Sequence, residues 1–232
     1  FPNTQAELVH QRAGYGFLGN LVRMTKPIKS RYYLRKCLNS EKAAYLLSKP
    51  IDLVMRLHSR ENYYRRSKIL SGEIVSTFDS RFDELWARAS SRYVLIGERE
   101  SGYLNWRYTS SPHQNYSIFA LAQKGSGTLI GYIVFYLTAN KVHIADLLAL
   151  DLDDTLDCLL SEFLLFQQEK GVESVSIVYL GSEVLTRRLE EYRFSVRDNG
   201  AKVIVYADPD SPLLADVCDK DNWYILEGDK DL

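Results

Sequence analysis

The spacing of apolar residues changes character near residue 71. Before that point the pattern has the period of amphipathic helices, and after it short apolar runs alternate with helical patterns. The front part of the chain therefore predicts a mostly helical segment. Its predicted elements are a helix at 4–13, a strand at 18–24, and helices at 31–48 and 51–68, which Pro50 separates.

The rest of the chain predicts strands and helices in turn. The strongest pattern is the helix at 155–170, whose start Asp154 can cap and whose end Gly171 marks. Short turns join three consecutive strands into an antiparallel meander, and the last two strands into a hairpin. The predicted strands lie at 73–78, 116–123, 128–139, 141–149, 174–179, 194–197 and 202–206, and the other helices lie at 81–89, 102–112 and 182–192.

The composition, with 46% hydrophobic and 25% charged residues, is that of a folded chain of one or two domains. The longest apolar run, residues 128–139, is too short to cross a bilayer as a helix, and the chain does not open with a secretory signal. We therefore expect no membrane span and a cytoplasmic protein whose three dispersed cysteines are reduced thiols. The four histidines are equally scattered, so the sequence predicts no metal site.

The charge of the chain is strongly uneven. Residues 1–70 contain 14 Lys and Arg against 4 Asp and Glu, a net charge of +10, whereas residues 71–232 contain 15 against 26, a net charge of −11. A basic segment of this kind is typical of proteins that bind nucleic acid or anionic membranes. The acidic remainder of the chain can also neutralise the basic segment within the molecule. The basic segment, moreover, has few of the exposed aromatic side chains on which single-strand binders stack bases. We favour the intramolecular explanation and expect no nucleic-acid partner.

Two sequence stretches accompany this order of predicted elements, GYLNWRY at 102–108 and NWYILEGDKDL at 222–232. The order of elements resembles that of the GNAT acyltransferase superfamily, and the two stretches are similar to the second half of bacterial tandem GNAT proteins. The resemblance implies an α+β fold of three layers, in which a mixed, mostly antiparallel sheet is flanked by helices and preceded by a basic helical linker. It also implies an acyl-CoA-dependent N-acyltransferase, and an acetyltransferase in particular.

The opening residues fit a pattern that GNAT proteins carry on the helix after their fifth strand. The resemblance implies that residues 1–28 are the last helix and strand of a first GNAT copy, 29–70 a basic helical linker and 71–232 a complete GNAT-like domain. The missing N-terminal copy would then be a partner, and the surface exposed by its loss would favour a homodimer. The alternative is that residues 1–28 are simply an N-terminal helix and strand. The matching residues are Asn3, Ala6, His10, Arg12, Gly14 and Tyr15.

GNAT enzymes hold acyl-CoA where their fourth and fifth strands splay apart. The resemblance assigns the backbone of Leu148 and Leu150 to the pantetheine and the helix start at Thr155 to the pyrophosphate, with acetyl-CoA or another acyl-CoA as cofactor. Residues 150–157, LDLDDTLD, lack the family's glycines and carry four aspartates. Since these carboxylates would repel the phosphates, we expect this copy not to bind CoA in the usual way and the first copy to hold it. The aspartates can be explained without a ligand if they cap the start of their own helix. The alternative is that a divalent metal bridges the aspartates to the phosphate.

Two residues are candidates for catalysis. Asp146 lies among apolar residues of the predicted fourth strand, where burial could raise its pKa toward that of a general base. It could equally face solvent or pair with an arginine of the helical segment. In the family a Tyr commonly protonates the departing thiolate. The matching position is Leu189 in this copy, which cannot donate a proton, and His10 in the front segment. A solvent-facing helix histidine is the alternative for His10.

Three residues are candidates for the acceptor side of the cleft: Tyr103, Trp106 and Arg107. Arg107 would hold an anionic group with its fork of donors, whereas the two aromatic residues have the spacing of core positions on a helix. The residue types leave the acceptor open, from a small molecule to a cell-envelope intermediate. A non-catalytic GNAT-fold binding or interaction module is the alternative to an acyltransferase.

Overall fold

The computed structural model describes residues 7–38, 40–62 and 69–230, and the strands of these residues form one sheet. The strands are β1 (Gly16–Pro27), β2 (Leu70–Val75), β3 (Leu95–Ile96), β4 (Ser117–Gln123), β5 (Leu129–Thr138), β6 (Lys141–Ala149), β7 (Ser174–Gly181), β8 (Ser195–Val205) and β9 (Trp223–Leu226). The α-helices are α1 (Glu7–Arg12), α2 (Arg31–Leu38), α3 (Glu41–Leu57), α4 (Ser80–Ala89), α5 (Ser101–Leu104), α6 (Asp154–Lys170), α7 (Glu183–Glu191) and α8 (Leu214–Cys218). A π-helical turn at Asn105–Thr109 continues α5.

The sheet is mixed and mostly antiparallel, as the sequence predicts. Its strands follow the order β2-β4-β5-β6-β7-β1-β8, and along this order only β6 and β7 are parallel. The predicted meander is confirmed as β4, β5 and β6. The short strands β3 and β9 were not predicted; they pair with each other, and β9 also pairs with β7.

Helices cover both faces of the sheet and produce the predicted three layers. On one face, α6 and α7 bury Leu156 and Leu189 in a large core cluster. On the other face, α4 and α5 bury Phe82 and Leu104 in a second cluster. Helix α6 ends where the sequence predicts, because Gly171 adopts the left-handed conformation that terminates it.

The helical segment differs from its prediction at an internal boundary. The break falls at Ser40 instead of Pro50, because Ser40 caps α3 by accepting a hydrogen bond from the amide of Ala43. Pro50 stays inside α3 on its exposed side, where the carbonyl of Leu46 that loses its helical partner can be hydrated. The end of the predicted second helix, residues 63–68, lies outside the described residues.

Strand β1 is a central strand of the same sheet. It pairs antiparallel with β7 over six residue pairs on one side and with β8 on the other. The predicted hairpin at 194–206 is therefore wrong: most of these residues form one strand, β8, whose register shifts along β1. The sheet extends beyond the predicted domain of residues 71–232, while the origin of residues 1–28 in a first copy stays a prediction.

A buried ion pair fastens the helical segment to the sheet. Lys26 of β1 donates to Glu61 at 3.1 Å and to the carbonyl of Tyr192 at 2.7 Å. Gln168 of α6 donates to the other oxygen of Glu61 at 2.6 Å. Burial lowers the pKa of Lys26, and the Glu61 carboxylate opposes this shift. Because both charges have hydrogen-bond partners, the turn after α3 is fixed against β1 and α6.

Candidate functional site

The splay between β6 and β7 is the part of the sheet that the resemblance assigns to acyl-CoA. The two strands pair in parallel over four residue pairs, the last of which is Ile144 opposite Ile177. Beyond this pair β6 remains bonded to β5, while the end of β7 takes another partner. The strands therefore border a cleft at their carboxyl ends.

The chain's own C-terminal segment, residues 223–230, fills this cleft. Its strand β9 pairs antiparallel with the last three residues of β7, and β3 pairs in parallel with β9. Tyr224 and Leu226 of β9 are buried in the core cluster on the α6 face. The hydroxyl of Tyr224 donates to the carbonyl of Leu147 at 2.9 Å, so β9 bridges from β7 to β6.

The turn after β9 is held as closely as β9 itself. Arg107 donates to the carbonyl of Gly228 at 2.9 Å and to the carbonyl of Lys230. A Cβ atom at Gly228 would meet the hydroxyl of Tyr108 and approach the carbonyl of Ala145, so this close approach requires glycine. The C-terminal segment is thus an integral part of the fold.

Asp146 lies beside the filled cleft in a buried cluster of charges. It is 1% exposed, and its two oxygens accept hydrogen bonds from Arg99 at 3.2 Å and from the hydroxyl of Tyr132 at 2.9 Å. The same Arg99 nitrogen donates to Asp229 at 2.7 Å. Complete burial raises the pKa of Asp146, and the Arg99 guanidinium opposes this shift. Burial disfavours the charge of Arg99, but the two carboxylates outweigh burial and raise its pKa.

This environment differs from the surroundings that a general base needs. A base must reach the proton that it abstracts within hydrogen-bond distance, directly or through one water. Both oxygens of Asp146 are already engaged within the core, and the arginine that pairs with it is Arg99, before α5, instead of one from the helical segment. Asp146 therefore connects β6 to the C-terminal segment through Arg99, and its predicted role as a base has no open route to a substrate.

The start of α6, which the resemblance assigns to the pyrophosphate, is capped by Asp151. The Asp151 carboxylate accepts hydrogen bonds from the amides of Asp153 at 3.1 Å and Thr155 at 3.0 Å, and from the Thr155 hydroxyl at 2.6 Å. The sequence predicts Asp154 as the cap, but the consequence is the same because a carboxylate occupies these donors. Partial burial favours the neutral form of Asp151, yet these hydrogen bonds outweigh burial and lower its pKa.

The two leucines expected along the cofactor are engaged elsewhere. Leu148 is buried in the core cluster on the α4 face, and the amide of Leu150 donates to the carbonyl of Ile130 at 2.9 Å. Two other carbonyls of β6 accept hydrogen bonds from tyrosine hydroxyls. These bonds join Leu147 to Tyr224 at 2.9 Å and Ala149 to Tyr93 at 3.4 Å.

The structure does not bring His10 and Asp146 together. His10 lies in α1, where its ring meets that of Tyr15 edge to face at 5.0 Å. Helix α1 leads into the end of β1 that pairs with β8, whereas Asp146 lies in β6, two strands further along the sheet from β1. Leu189, at the position of the family's acid, is fully buried in the core. Asn3 and Ala6 of the opening pattern lie outside the described residues.

The three acceptor candidates do lie together, beside the C-terminal segment. The rings of Tyr103 and Trp106 are 5.6 Å apart, and Arg107 follows them on the π-helical turn. The helix spacing that suggested a core position is misleading for Trp106, whose side chain is 65% exposed. The donors of Arg107, predicted to clamp an anion, hold main-chain carbonyls of the C-terminal segment.

Three residues that define this site had no local signal in the sequence. Arg99, Tyr224 and Asp229 lie in stretches without helical or strand periodicity, and their contacts join residues 47 to 130 positions apart. The only signal near them was the stretch NWYILEGDKDL, which contains two of the three. That stretch supported the resemblance but did not indicate where the segment lies.

Other predicted properties concern the chain as a whole. The described residues contain no helix that is both long enough and apolar enough to cross a membrane. The same residues contain no group of three or more His, Cys, Asp or Glu side chains placed to hold a metal ion. Cys37, Cys158 and Cys218 are free thiols.

Two solved structures share the fold of this chain. No family model and no curated protein matches the sequence. The chain is similar in structure to a conserved protein of unknown function from Enterococcus faecalis V583, described as a probable N-acyltransferase, with a TM-score of 0.52 and 14% identity. It is also similar to a GCN5-related N-acetyltransferase from Anabaena variabilis ATCC 29413, with a TM-score of 0.52 and 16% identity. The alignments cover 85% and 88% of this chain but 42% and 44% of those chains. The chain therefore has the predicted GNAT fold and spans less than half the length of either structure.

Proposed function

We propose that this chain is one GNAT-fold half of an acyl-CoA-dependent N-acyltransferase of tandem type, and that the acyl-CoA is held outside this half. The observation that carries the proposal is the position of β9, which pairs with β7 inside the cleft between β6 and β7. The two similar structures support a protein about twice as long, since this chain spans 42% and 44% of them. Residues 1–28 would then come from the first copy, and residues 29–70 would be the linker.

The residues in the cleft do not fit acyl-CoA. A pantetheine arm would have to displace β9, and each backbone group left buried without a partner would cost roughly 1–3 kcal/mol. The pyrophosphate would meet the ionised Asp151, with Asp153 and Asp154 next to it along the chain. Each pair of like charges at ~4 Å costs ~1 kcal/mol in water and ~4 kcal/mol near a protein surface. Both costs oppose binding at the same place, so this cleft disfavours the cofactor.

In this proposal the chain contributes structure and an acceptor-side surface, while cofactor chemistry belongs to the first copy. Trp106 is the exposed member of the acceptor-side group, beside the half-buried Tyr103. The acceptor would be a small molecule or a cell-envelope intermediate, as the resemblance implies. The first copy would be the principal partner, and a homodimer is a second arrangement that would cover its interface.

Calorimetric titration of acetyl-CoA tests the proposal in two samples, the 232-residue chain and the complete product of its gene. We expect no saturable heat from the chain and saturable binding by the complete product, because only the latter would contain an open cofactor cleft. Desulfo-CoA provides a control, since it keeps the pyrophosphate but lacks the thiol that carries the acyl group. Saturable binding of acetyl-CoA by the chain alone would contradict the proposal.

A non-catalytic GNAT-fold interaction module is the second candidate. The enclosed Asp146 and the buried Leu189 support it, because neither predicted catalytic position of this copy offers an accessible proton donor or acceptor. The same titrations separate the two candidates. No saturable binding of acetyl-CoA in either sample would support the interaction module, and binding by the complete product alone would support the acyltransferase.

A further inference from the structure

Helix α3 presents an apolar stripe that the described residues leave largely uncovered. Positions 46, 50, 53 and 57 recur at the spacing of one helix face and carry Leu, Pro, Leu and Leu. Leu46, Leu53 and Leu57 are 68%, 57% and 64% exposed, and Leu47 and Val54 extend the stripe on one side with about half of their surface exposed. Exposed apolar side chains that lie next to one another in this way often mark an interaction site.

A row of cations runs beside this stripe. Lys42, Lys49 and Arg56 are spaced seven residues apart, so they lie along one line of the helix next to the leucines. All three are exposed, and none forms an ion pair with another described residue. The exposed carboxylate of α3, Glu41, is paired with Arg31 at 2.5 Å. The positive charge beside the stripe is therefore not neutralised by α3 itself.

Helix α3 presents the stripe and the cations in a fixed orientation. Its opposite face buries Ala44 and Ser48. Asp52 accepts a hydrogen bond from the amide of Ser30 at 2.7 Å, which ties the helix to the end of β1. The turn that follows is held by the buried pair of Lys26 and Glu61. These contacts hold α3 in place, so its leucines and cations keep a fixed position on the surface of the folded chain.

The three exposed cations beside the stripe are charges that an anionic partner would complement. Residues 1–70 carry a net charge of +10 and residues 71–232 a net charge of −11. Intramolecular neutralisation occurs for some cations, as in the contact of Arg60 with Asp157 at 3.0 Å. It does not extend to the three cations of α3 among the described residues. An anionic surface would attract these three cations.

We propose that α3 docks on the surface of an anionic membrane, with its leucine stripe at the headgroup level and its cations toward the anionic headgroups. An apolar stripe bordered by Lys and Arg is the arrangement by which a helix lies in the plane of a membrane without crossing it. A protein partner, including a second copy of the chain, is the competing occupant that the experiments below distinguish. The proposal goes beyond the acyl-transfer proposal and does not depend on it.

Co-sedimentation with lipid vesicles tests the proposal on the 232-residue chain and on the complete product of its gene. Vesicles of phosphatidylglycerol and phosphatidylcholine in equal parts should bind both samples, and vesicles of phosphatidylcholine alone should bind them at least tenfold less. Added salt should weaken binding, because it screens the charges. Equal binding to both kinds of vesicle, or no binding at low salt, would overturn the proposal. Binding by the chain but not by the complete product would also overturn it, since another part of the protein would then cover α3.

A pair of serine substitutions tests the apolar stripe. Leu53→Ser/Leu57→Ser should lower the ratio of bound to free protein at least tenfold. The matched control, Leu137→Ser/Leu213→Ser, alters two leucines that are similarly exposed elsewhere and should bind like the unaltered chain. Equal binding by the stripe variant and its control would contradict the proposal.

A pair of charge reversals tests the cation row. Lys42→Glu/Lys49→Glu should abolish the preference for phosphatidylglycerol, whereas Lys124→Glu/Lys170→Glu, at exposed sites outside the helical segment, should preserve it. Circular dichroism confirms that each variant is folded, and amide exchange of α3 slowed by vesicles provides a second measurement. A concentration-dependent dimer that disappears in Leu53→Ser/Leu57→Ser while vesicle binding persists would identify a second copy as the occupant and overturn the proposal.

Discussion

Replacing Leu226 with alanine tests whether the C-terminal segment is a permanent part of the core. Leu226 is fully buried in the cluster between the sheet and α6. Removing a buried leucine side chain costs ~0.8 kcal/mol of transfer free energy for each methylene-sized group, plus the energy of the cavity that remains. We expect the free energy of unfolding to fall by about 3 kcal/mol, inside the range of about 2–5 kcal/mol for such changes.

Urea unfolding followed by circular dichroism measures this change, and thermal unfolding provides a second reading. A loss of about 3 kcal/mol corresponds to a decrease in Tm of about 6–12 °C for a chain of this size. The matched control is Leu213→Ala. Leu213 is 56% exposed, so its truncation should change the free energy of unfolding by no more than ~0.5 kcal/mol.

A displaceable lid would behave differently in the same experiment. If the segment only rested on an otherwise open cleft, Leu226→Ala would cost less than ~1 kcal/mol. Acetyl-CoA would then also raise the Tm of the variant, because a ligand that binds only the folded state stabilises it. Either result would refute the conclusion that the segment is built into the core. We expect the larger loss because Leu226 is fully buried. We expect no stabilisation by acetyl-CoA because Asp151 still occupies the amide of Thr155 at the start of α6 in the variant.

Three further predictions concern buried contacts. Lys26→Met leaves Glu61 buried without its cation and should lower the free energy of unfolding in urea by about 3–5 kcal/mol. The double variant Lys26→Met/Glu61→Leu should recover most of this loss. No recovery would contradict the assigned role of the ion pair. Gly228→Ala places a Cβ atom against the Tyr108 hydroxyl and should lower the free energy of unfolding by roughly 1–3 kcal/mol in the same assay. Adding Tyr108→Phe should restore part of this loss. An equal loss with and without the hydroxyl would exclude the clash as its cause. Burial lowers the pKa of His143 below 6.5, so the unfolded chain binds the proton more readily and stability should decline as the pH falls below about 6.5. His143→Gln should reduce that decline in unfolding curves recorded on both sides of this pH, and an unchanged decline would show that other groups cause it.

Local patterns in the sequence predict those elements whose own residues determine them. Helix α6 follows from its apolar spacing and from Gly171, and the meander follows from its short turns. The failures are at places where a distant partner decides the structure. Residues 195–205 form one strand because β1 pairs with it, and β3 and β9, with two and four residues, exist only as partners of each other and of β7. No periodicity in so short a segment could indicate these pairings.

The candidate site shows the same division between local and distant causes. The apolar neighbours of Asp146 correctly indicate burial, and the raised pKa follows from it. They do not indicate that Arg99, 47 residues earlier, would occupy one oxygen and join Asp146 to Asp229. For the start of α6, by contrast, the aspartates of LDLDDTLD lie within a few residues of the donors that they cap. The sequence therefore predicts a carboxylate at that helix start, although the capping residue is Asp151.

The filling of the cleft is explained by where each strand can find a partner. Strand β1 occupies the position between β7 and β8. The end of β7 remains open on the other side, because β6 diverges beyond Ile144, and β9 pairs with that edge. The Tyr224 hydroxyl then satisfies the carbonyl of Leu147 on the opposite wall. A ligand entering here would have to replace these bonds or leave their partners buried and unpaired. Because the chain already uses both walls of the cleft, a ligand that pairs with the same backbone could bind here only after β9 is displaced.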